Sequence, residues 1–176
     1  MPGGGYNVRV LDERDPQAWV LKALREAGGS LLSEFYGLDD EDLCRRVEGE
    51  DWCLKEIAAH LRDAEELALA QLTAIAEAKP GPLPSWDVDA LPLERDYQST
   101  DLDEALAEFR GLRRDTTYLL WGVTDAGWER SAQHPYRGTV TLGEIAPELA
   151  QHDLEHLWQV RRIKARLNEA RVRDQE

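Results

Sequence analysis

The chain has 176 residues, of which 42% are hydrophobic, and its 35 acidic residues outnumber 21 basic ones to give a formal net charge of −14. This length suits one domain with a sizeable core, and no apolar run approaches the ~20 residues of a membrane-spanning helix, so disordered and membrane proteins are excluded. Because phosphate groups attract basic surfaces, the acidic balance also excludes nucleic acid and anionic membranes as partners.

The chain opens with a predicted N-terminal extension, residues 1–15, ahead of a single predicted domain at residues 16–172. The extension begins Met-Pro-Gly-Gly-Gly and has no basic stretch followed by an apolar one, which is the pattern of a secretory signal. We therefore expect a cytoplasmic protein.

Four segments show the apolar periodicity of amphipathic helices. They cover about residues 16–35, 51–78, 102–121 and 141–170. The first begins with Pro16, a residue suited to an opening helical turn, and Gly37 follows its end. The fourth begins with a capping box from Thr141 to Glu144, and Pro147 inside it predicts either a kink or a later start.

The connections between the later helices are long. Residues 80–100 contain four prolines and no clean periodicity, and residues 122–140 have room for a short turn or strand around Tyr136 to Thr139. Loops of this length are uncommon in a compact domain and more often serve as a crossover or a site. We therefore predict an all-α fold, a four-helix bundle with at least one crossover connection.

Two histidines interrupt the apolar stripe of the predicted fourth helix. His152 and His156 lie one turn apart, at positions where the pattern calls for Leu or Ile. A buried imidazole without a partner is costly, and a metal ion removes that cost because neutral imidazole binds zinc, nickel, copper and iron. His60 lies at the margin of the second helix's stripe and can supply a third ligand, whereas His134 falls in a loop and follows no pattern.

A structural role for these histidines is an alternative. Two histidines four residues apart are a weak indicator, since core histidines usually hydrogen-bond to a backbone carbonyl or a carboxylate. Taken alone, His152 and His156 are equally compatible with metal ligation and with such a role in the core.

Two motifs resemble the signatures of the DinB/YfiT-like superfamily. The run from Trp52 to Glu65 resembles the pattern W-x-x-x-E-x-x-x-H-x-x-D-x-E. The run from His152 to Val160 resembles the pattern H-D-x-x-H-x-x-Q-I, with Val160 in place of Ile. The motifs occur in the family's order, and the resemblance covers the chain after about its first dozen residues.

The resemblance implies a four-helix bundle whose second and third helices are joined by a long crossover. It also implies a zinc or nickel ion on His60, His152 and His156, and a homodimer. Manganese or iron are alternatives because a three-histidine site accepts several divalent metals. Some family members transfer low-molecular-weight thiols and others are metal-dependent hydrolases. We therefore expect a small-molecule substrate, with a low-molecular-weight thiol as one candidate.

Asp153 and Glu155 are the predicted catalytic residues, because they flank the histidine stripe on opposite sides, roughly 80° from its centre. One could orient a ligand histidine through its second ring nitrogen, and the other could act as general base. Both could equally be solvated charges on an acidic chain. For Glu56 and Asp63, solvated or capping charges are the preferred interpretation.

Two classes of function are compatible with these patterns, so whether the protein is an enzyme stays open. The first is a metal-dependent thiol S-transferase or hydrolase, and the second is a non-catalytic bundle in which the metal joins helices and the function lies in an interaction surface. A bundle whose three histidines hold no metal in the cell is a further alternative. A fourth protein ligand, such as Asp153 or Glu155, would favour the second. A cavity beside the metal would favour the first, with candidate lining residues Trp52, Trp121, Trp128 and Trp158.

Overall fold

The computed structural model describes residues 15–87 and 90–173, so the predicted N-terminal extension lies outside the described residues except for Asp15. The elements in chain order are α1 (Pro16–Glu34), α2 (Asp40–Cys44), α3 (Leu54–Ala76), α4 (Leu91–Glu94), a 3₁₀ turn (Tyr97–Ser99), α5 (Leu102–Gly122), α6 (Asp125–Trp128), β1 (Ser131–His134), β2 (Gly138–Thr141) and α7 (Leu142–Arg173). The four long helices α1, α3, α5 and α7 correspond to the four predicted ones, and the predicted four-helix bundle is confirmed.

The ends of the long helices follow from local capping chemistry. The Asp15 side chain accepts a hydrogen bond from the backbone N–H of Gln17 at the start of α1. Glu144 accepts one from the N–H of Thr141 over 2.7 Å, as the predicted capping box requires. Helix α7 begins at Leu142 and continues through Pro147, so the predicted later start is wrong. Proline removes one backbone hydrogen bond, and the remaining packing of this 32-residue helix maintains it.

Two apolar clusters fill the bundle. The first core cluster includes Leu24, Leu72, Leu120 and Leu149. The second core cluster includes Leu31, Ile57, Phe109 and Val160. Helices α1 and α7 run from the first cluster to the second, whereas α3 and α5 run from the second to the first. Helix α1 packs against α5 and α7, and α3 packs against the same two helices.

These directions explain the crossover between the second and third long helices. Because α3 and α5 are neighbours that run the same way, the chain between them must return along the length of the bundle. The returning segment is anchored on α3, where Leu91 and Tyr97 pack against Ala59 and the Tyr97 hydroxyl donates to Asp63 over 2.8 Å. Leu83 also donates its backbone N–H to the carbonyl of Gln133 in β1.

A short hairpin is the one departure from an all-α chain in the described residues. Strands β1 and β2 pair antiparallel, with Ser131 opposite Thr141 and His134 opposite Gly138. The sequence indicated a turn or strand around Tyr136 to Thr139, and Gly138 begins β2 with a φ of 77°. In the part of the chain that the structure describes, no helix is both long and apolar enough to cross a membrane.

A buried ionic cluster separates the two core clusters. The guanidinium of Arg113 on α5 donates to Asp153 on α7 over 2.5 and 3.1 Å, to Glu65 on α3 over 2.5 Å and to the carbonyl of Leu24 on α1 over 2.8 Å. The Thr116 hydroxyl donates to the second oxygen of Glu65 over 2.6 Å. One cation therefore connects all four long helices.

Replacing Arg113 by Ala should destabilise the fold strongly, because it leaves Glu65 and Asp153 buried without a cation. We expect the free energy of unfolding to fall by about 3–5 kcal/mol, measured by urea denaturation at pH 7. Arg114→Ala is the matched control, since its side chain is 66% exposed, and it should change stability by less than about 0.5 kcal/mol. Equal effects from the two substitutions would contradict a central role for Arg113.

Candidate metal centre

Three histidines from two helices converge at one point of the bundle. His60 on α3 and His152 on α7 bring their Nε2 atoms to 2.9 Å, and the Nε2 atoms of His152 and His156 lie 3.2 Å apart. In residues 15–87 and 90–173, these three alone form a cluster of at least three side chains able to share a metal ion, with ligand atoms within 4.8 Å of one another. The structure therefore brings together all three predicted ligands.

The chemistry of this donor set fits a divalent ion. Two nitrogens bound tetrahedrally to zinc at 2.0–2.1 Å lie about 3.3 Å apart, close to the spacing seen here. Burial, with a smaller contribution from the neighbouring histidines, lowers the pKa of His60 to about 3. Burial likewise lowers the pKa of His152 to about 4 and lowers that of His156. The rings are therefore neutral at pH 7, which is the form that binds metals.

A chain of hydrogen bonds determines the tautomer of His156. A carboxylate only accepts, so the Gln159 side chain must direct its NH₂ group to Glu50, at 3.1 Å. The amide oxygen of Gln159 then faces Nδ1 of His156 at 2.9 Å, and Nδ1 must carry the proton that is donated. The lone pair of His156 is consequently on Nε2, the atom directed at the other two histidines.

Trp52 covers two of the three rings. Its indole lies parallel to the imidazole of His156, with centroids 6.2 Å apart, and is tilted over His60 at 4.7 Å. The residue comes just before α3, and Glu56 secures this segment by accepting hydrogen bonds from the Cys53 N–H over 2.8 Å and from Arg46 over 2.6 Å. The local capping of α3 thus positions an aromatic ring beside the histidines.

The sequence matches the model of the DinB superfamily over residues 23–160. The chain belongs to the DinB superfamily. It is 22% identical to the uncharacterised protein YuaE of Bacillus subtilis (strain 168), over 85% of this chain and 100% of that protein.

Solved structures share the fold of this DinB-superfamily chain. YfiT from Bacillus subtilis, a probable metal-dependent hydrolase with an unusual four-helix bundle topology, matches with a TM-score of 0.80 and 19% identity over 94% of this chain and 95% of that one. A mycothiol-dependent maleylpyruvate isomerase matches with a TM-score of 0.70 and 10% identity, over 83% of this chain and 61% of that one. At these identities the likeness concerns the fold.

The predicted catalytic residues of this DinB chain do not join the histidine cluster. Asp153 is 1% exposed, and both of its carboxylate oxygens contact Arg113. Burial raises the pKa of Asp153 to about 6, although Arg113 opposes that shift. Glu155 is exposed and accepts a hydrogen bond from Gln151 over 3.1 Å. A catalytic role for the two residues stays a prediction, and their contacts point to structural ones.

Two further carboxylates near the first motif are buried, which the sequence did not indicate. Glu56 is 5% exposed and caps α3, so the capping interpretation is correct and the solvated one is wrong. Asp63 is fully buried and accepts hydrogen bonds from Tyr97, from Arg95 over 2.7 Å and from Arg62 over 2.8 Å. Its position in the interior depends on partners from the crossover, which periodicity does not reveal.

The four candidate tryptophans are dispersed over the DinB bundle. Only Trp52 among them contacts the histidines. Trp128 is 4% exposed within the first core cluster, Trp158 is 60% exposed beside Arg161, and Trp121 lies at the surface of α5. Sequence reasoning also missed the contact to Gln159, for which the three-residue spacing from His156 on one helix face was the available signal.

The histidine pKa values predict a pH-dependent stability of the metal-free protein. Unfolded histidines titrate near pH 6.5, so between pH 6.5 and about 4 the unfolded chain binds more protons at His60 and His152 than the folded chain does. Their stabilising contribution is complete above pH 6.5 and is lost as the pH falls below it.

Urea denaturation of EDTA-treated protein at pH 7.5 and pH 5.0 measures this loss. The native chain should lose about 2–4 kcal/mol more than the double variant His60→Gln/His152→Gln, in which the effect of Asp153 and other groups is unchanged. Parallel pH dependences of the two proteins would show that the histidines are not held neutral.

Proposed function

We propose that this chain binds one divalent metal ion on His60, His152 and His156 and uses it as an enzyme acting on a small molecule. The observation that carries the proposal is the convergence of three neutral Nε2 atoms, one of which has its tautomer set by Gln159. Three protein nitrogens leave coordination positions open, as in catalytic zinc sites.

The reaction class is a thiol S-transfer or a hydrolysis. When bound, the ion supplies Lewis acidity and lowers the pKa of a coordinated thiol or water. The fold shared with YfiT, a probable metal-dependent hydrolase, supports hydrolysis, and the fold shared with the mycothiol-dependent isomerase supports use of a thiol. The protein's own part is to keep the imidazoles neutral by burial and to pack Trp52 beside His60 and His156.

The contacts of the nearby carboxylates support an enzyme over a non-catalytic, metal-joined bundle. Closing the coordination sphere would require a fourth ligand, for which Asp153 and Glu155 were the candidates. Within the described residues no acidic or cysteine side chain joins the three histidines. Asp153 is held by Arg113, and Glu155 is directed to Gln151.

Several finer features of the proposal rest on the sequence and on the family resemblance. Zinc or nickel is the preferred ion, with manganese or iron as alternatives, because a set of three nitrogens accepts several metals and availability selects among them. A low-molecular-weight thiol as cosubstrate, a homodimer and a cytoplasmic location stay predictions.

Metal analysis tests the proposed ligands. The untagged native protein should hold about one equivalent of divalent metal by elemental mass spectrometry, and His60→Ala and His156→Ala should each remove it, since two imidazoles remain. His134→Ala is the control, because that histidine lies in β1 and contacts Tyr136 outside the cluster. Metal-free native protein, even after incubation with zinc or nickel, would refute the proposed site.

Activity assays then separate the enzyme from the non-catalytic bundle. Metal-loaded native protein is compared with EDTA-treated protein and His156→Ala for hydrolysis of p-nitrophenyl acetate and for conjugation of chlorodinitrobenzene to cysteine, glutathione or mycothiol. Metal-dependent turnover in one assay, absent from His156→Ala, supports the corresponding reaction class. Stoichiometric metal with no turnover in a broad substrate panel favours the non-catalytic bundle.

Gln159 should tune the affinity for metal without being a ligand. Gln159→Leu removes the acceptor that keeps the Nδ1 proton of His156 in place, so we expect metal affinity to fall about 10–100-fold in a competition assay with a chromogenic chelator. Gln151→Leu, on the same helix but bonded to the exposed Glu155, is the matched control and should leave affinity unchanged. Equal affinity in both variants would exclude this orienting role.

A further inference from the structure

A groove between α1 and α5 lies outside the metal centre and has no role in the proposed function. Its cavity volume is about 420 Å³, within the range of small-molecule sites. Apart from its arginines, the groove is lined by Gly28, Gly29, Leu32, Thr117, Tyr118 and Trp121. None of the three histidines contributes to it.

Two consecutive glycines form the α1 side of the groove. A Cβ atom on Gly28 would lie 2.9 Å from Nη1 of Arg113, so close packing explains the absence of a side chain there. Gly29 has no such explanation, since a Cβ atom at that position would meet nothing within 4 Å. A glycine inside a helix destabilises it relative to alanine, and at Gly29 its effect is to leave the groove open.

The α5 side of the groove exposes large aromatic side chains. Trp121 is 48% exposed and Tyr118 is 72% exposed, and the two are three residues apart on one helix face. Exposed aromatic surface beside a cavity is typical of sites that bind an apolar group.

Four arginines line the groove, although acidic residues outnumber basic ones in the chain as a whole. Arg25 and Arg110 both line the groove, and neither forms an ion pair with any residue of the described ranges 15–87 and 90–173. Arg114 also lines it and is paired with its neighbour Asp115. Arg113 contributes a lining side chain that is 7% exposed, and its buried Nε–H finds no hydrogen-bond partner within the described part of the chain.

We propose that this groove binds a small amphipathic anion, a molecule with an aliphatic or aromatic body and a carboxylate group. The body packs on Leu32 and Trp121, and the carboxylate pairs with the guanidinium groups of Arg25 and Arg110, which form no ion pair among the described residues. A second copy of the chain fits this surface less well, because a two-fold interface places the same patch on both sides and would bring the arginines of both copies together.

Filling the groove tests the proposal with matched variants. Binding of decanoate is measured by isothermal titration calorimetry to the native chain, to Gly29→Leu and to Gly111→Leu. Gly111 also has open space around it and lies on α5 outside this groove, so the two substitutions are equivalent in chemistry and in helix propensity. We expect Gly29→Leu to weaken decanoate binding by at least about tenfold and Gly111→Leu to leave it unchanged.

A second experiment tests whether the positive charge of the arginines contributes to binding. The double variant Arg25→Gln/Arg110→Gln should weaken decanoate binding about fivefold or more, and decyltrimethylammonium, a cation with the same chain, should bind the native protein far more weakly than decanoate does. Urea denaturation of each variant checks that the protein is folded, and Gly29→Leu should be at least as stable as the native chain.

Three results would overturn the proposal. The first is a dissociation constant for decanoate weaker than about 1 mM in the native protein. The second is equal binding of decanoate by the Gly29→Leu and native chains. The third is a native dimer, seen by analytical ultracentrifugation, that Gly29→Leu converts to monomer, since the groove would then be an interface between copies.

Discussion

The structure depends most on the buried guanidinium of Arg113. It joins Glu65 on α3 to Asp153 on α7 and also contacts the carbonyl of Leu24 on α1. His60 precedes Glu65 by five residues, and His152 is adjacent to Asp153. Because these histidines are on the same helices as Glu65 and Asp153, the contacts of the two acids with Arg113 also fix where the histidines lie. Helix α5 contributes no ligand, yet it sets the relative placement of the two helices that do.

A second constraint is that, in a strongly acidic chain, carboxylates must be kept out of the cluster of three histidines. The buried acids of the two motifs are each engaged by a cation or a donor: Glu56 by Arg46, Asp63 by Tyr97 and Arg95, and both Glu65 and Asp153 by Arg113. Through these contacts the acids stabilise the start of α3, the crossover segment and the alignment of the helices. What remains at the centre is a set of neutral imidazoles, which is the donor set of a site with open positions.

Arg113 also links the interior to the surface groove between α1 and α5. Its close approach to α1 requires the glycine at position 28, and its Nε–H is left without a partner on the side chain that lines the groove. The same residue thus supports the ionic cluster next to the three histidines and forms part of a separate surface. An alanine or a larger residue is more favourable in a helix, but at position 28 its side chain would collide with the Arg113 guanidinium.

Local sequence patterns were sufficient to predict the four long helices and the three histidines. Apolar periodicity and the four-residue spacing of His152 and His156 are local properties of a helix, the margin of the second helix's stripe pointed to His60, and the two motifs supported all three. The roles of the charged residues, by contrast, depend on contacts between helices. Asp153 and Glu155 looked equivalent beside the stripe, but one meets a guanidinium 40 residues away in sequence and the other meets solvent. The spacing of residues along a helix shows which side chains share a face. Whether a side chain is buried, and what it contacts, depends on which helices pack against that face.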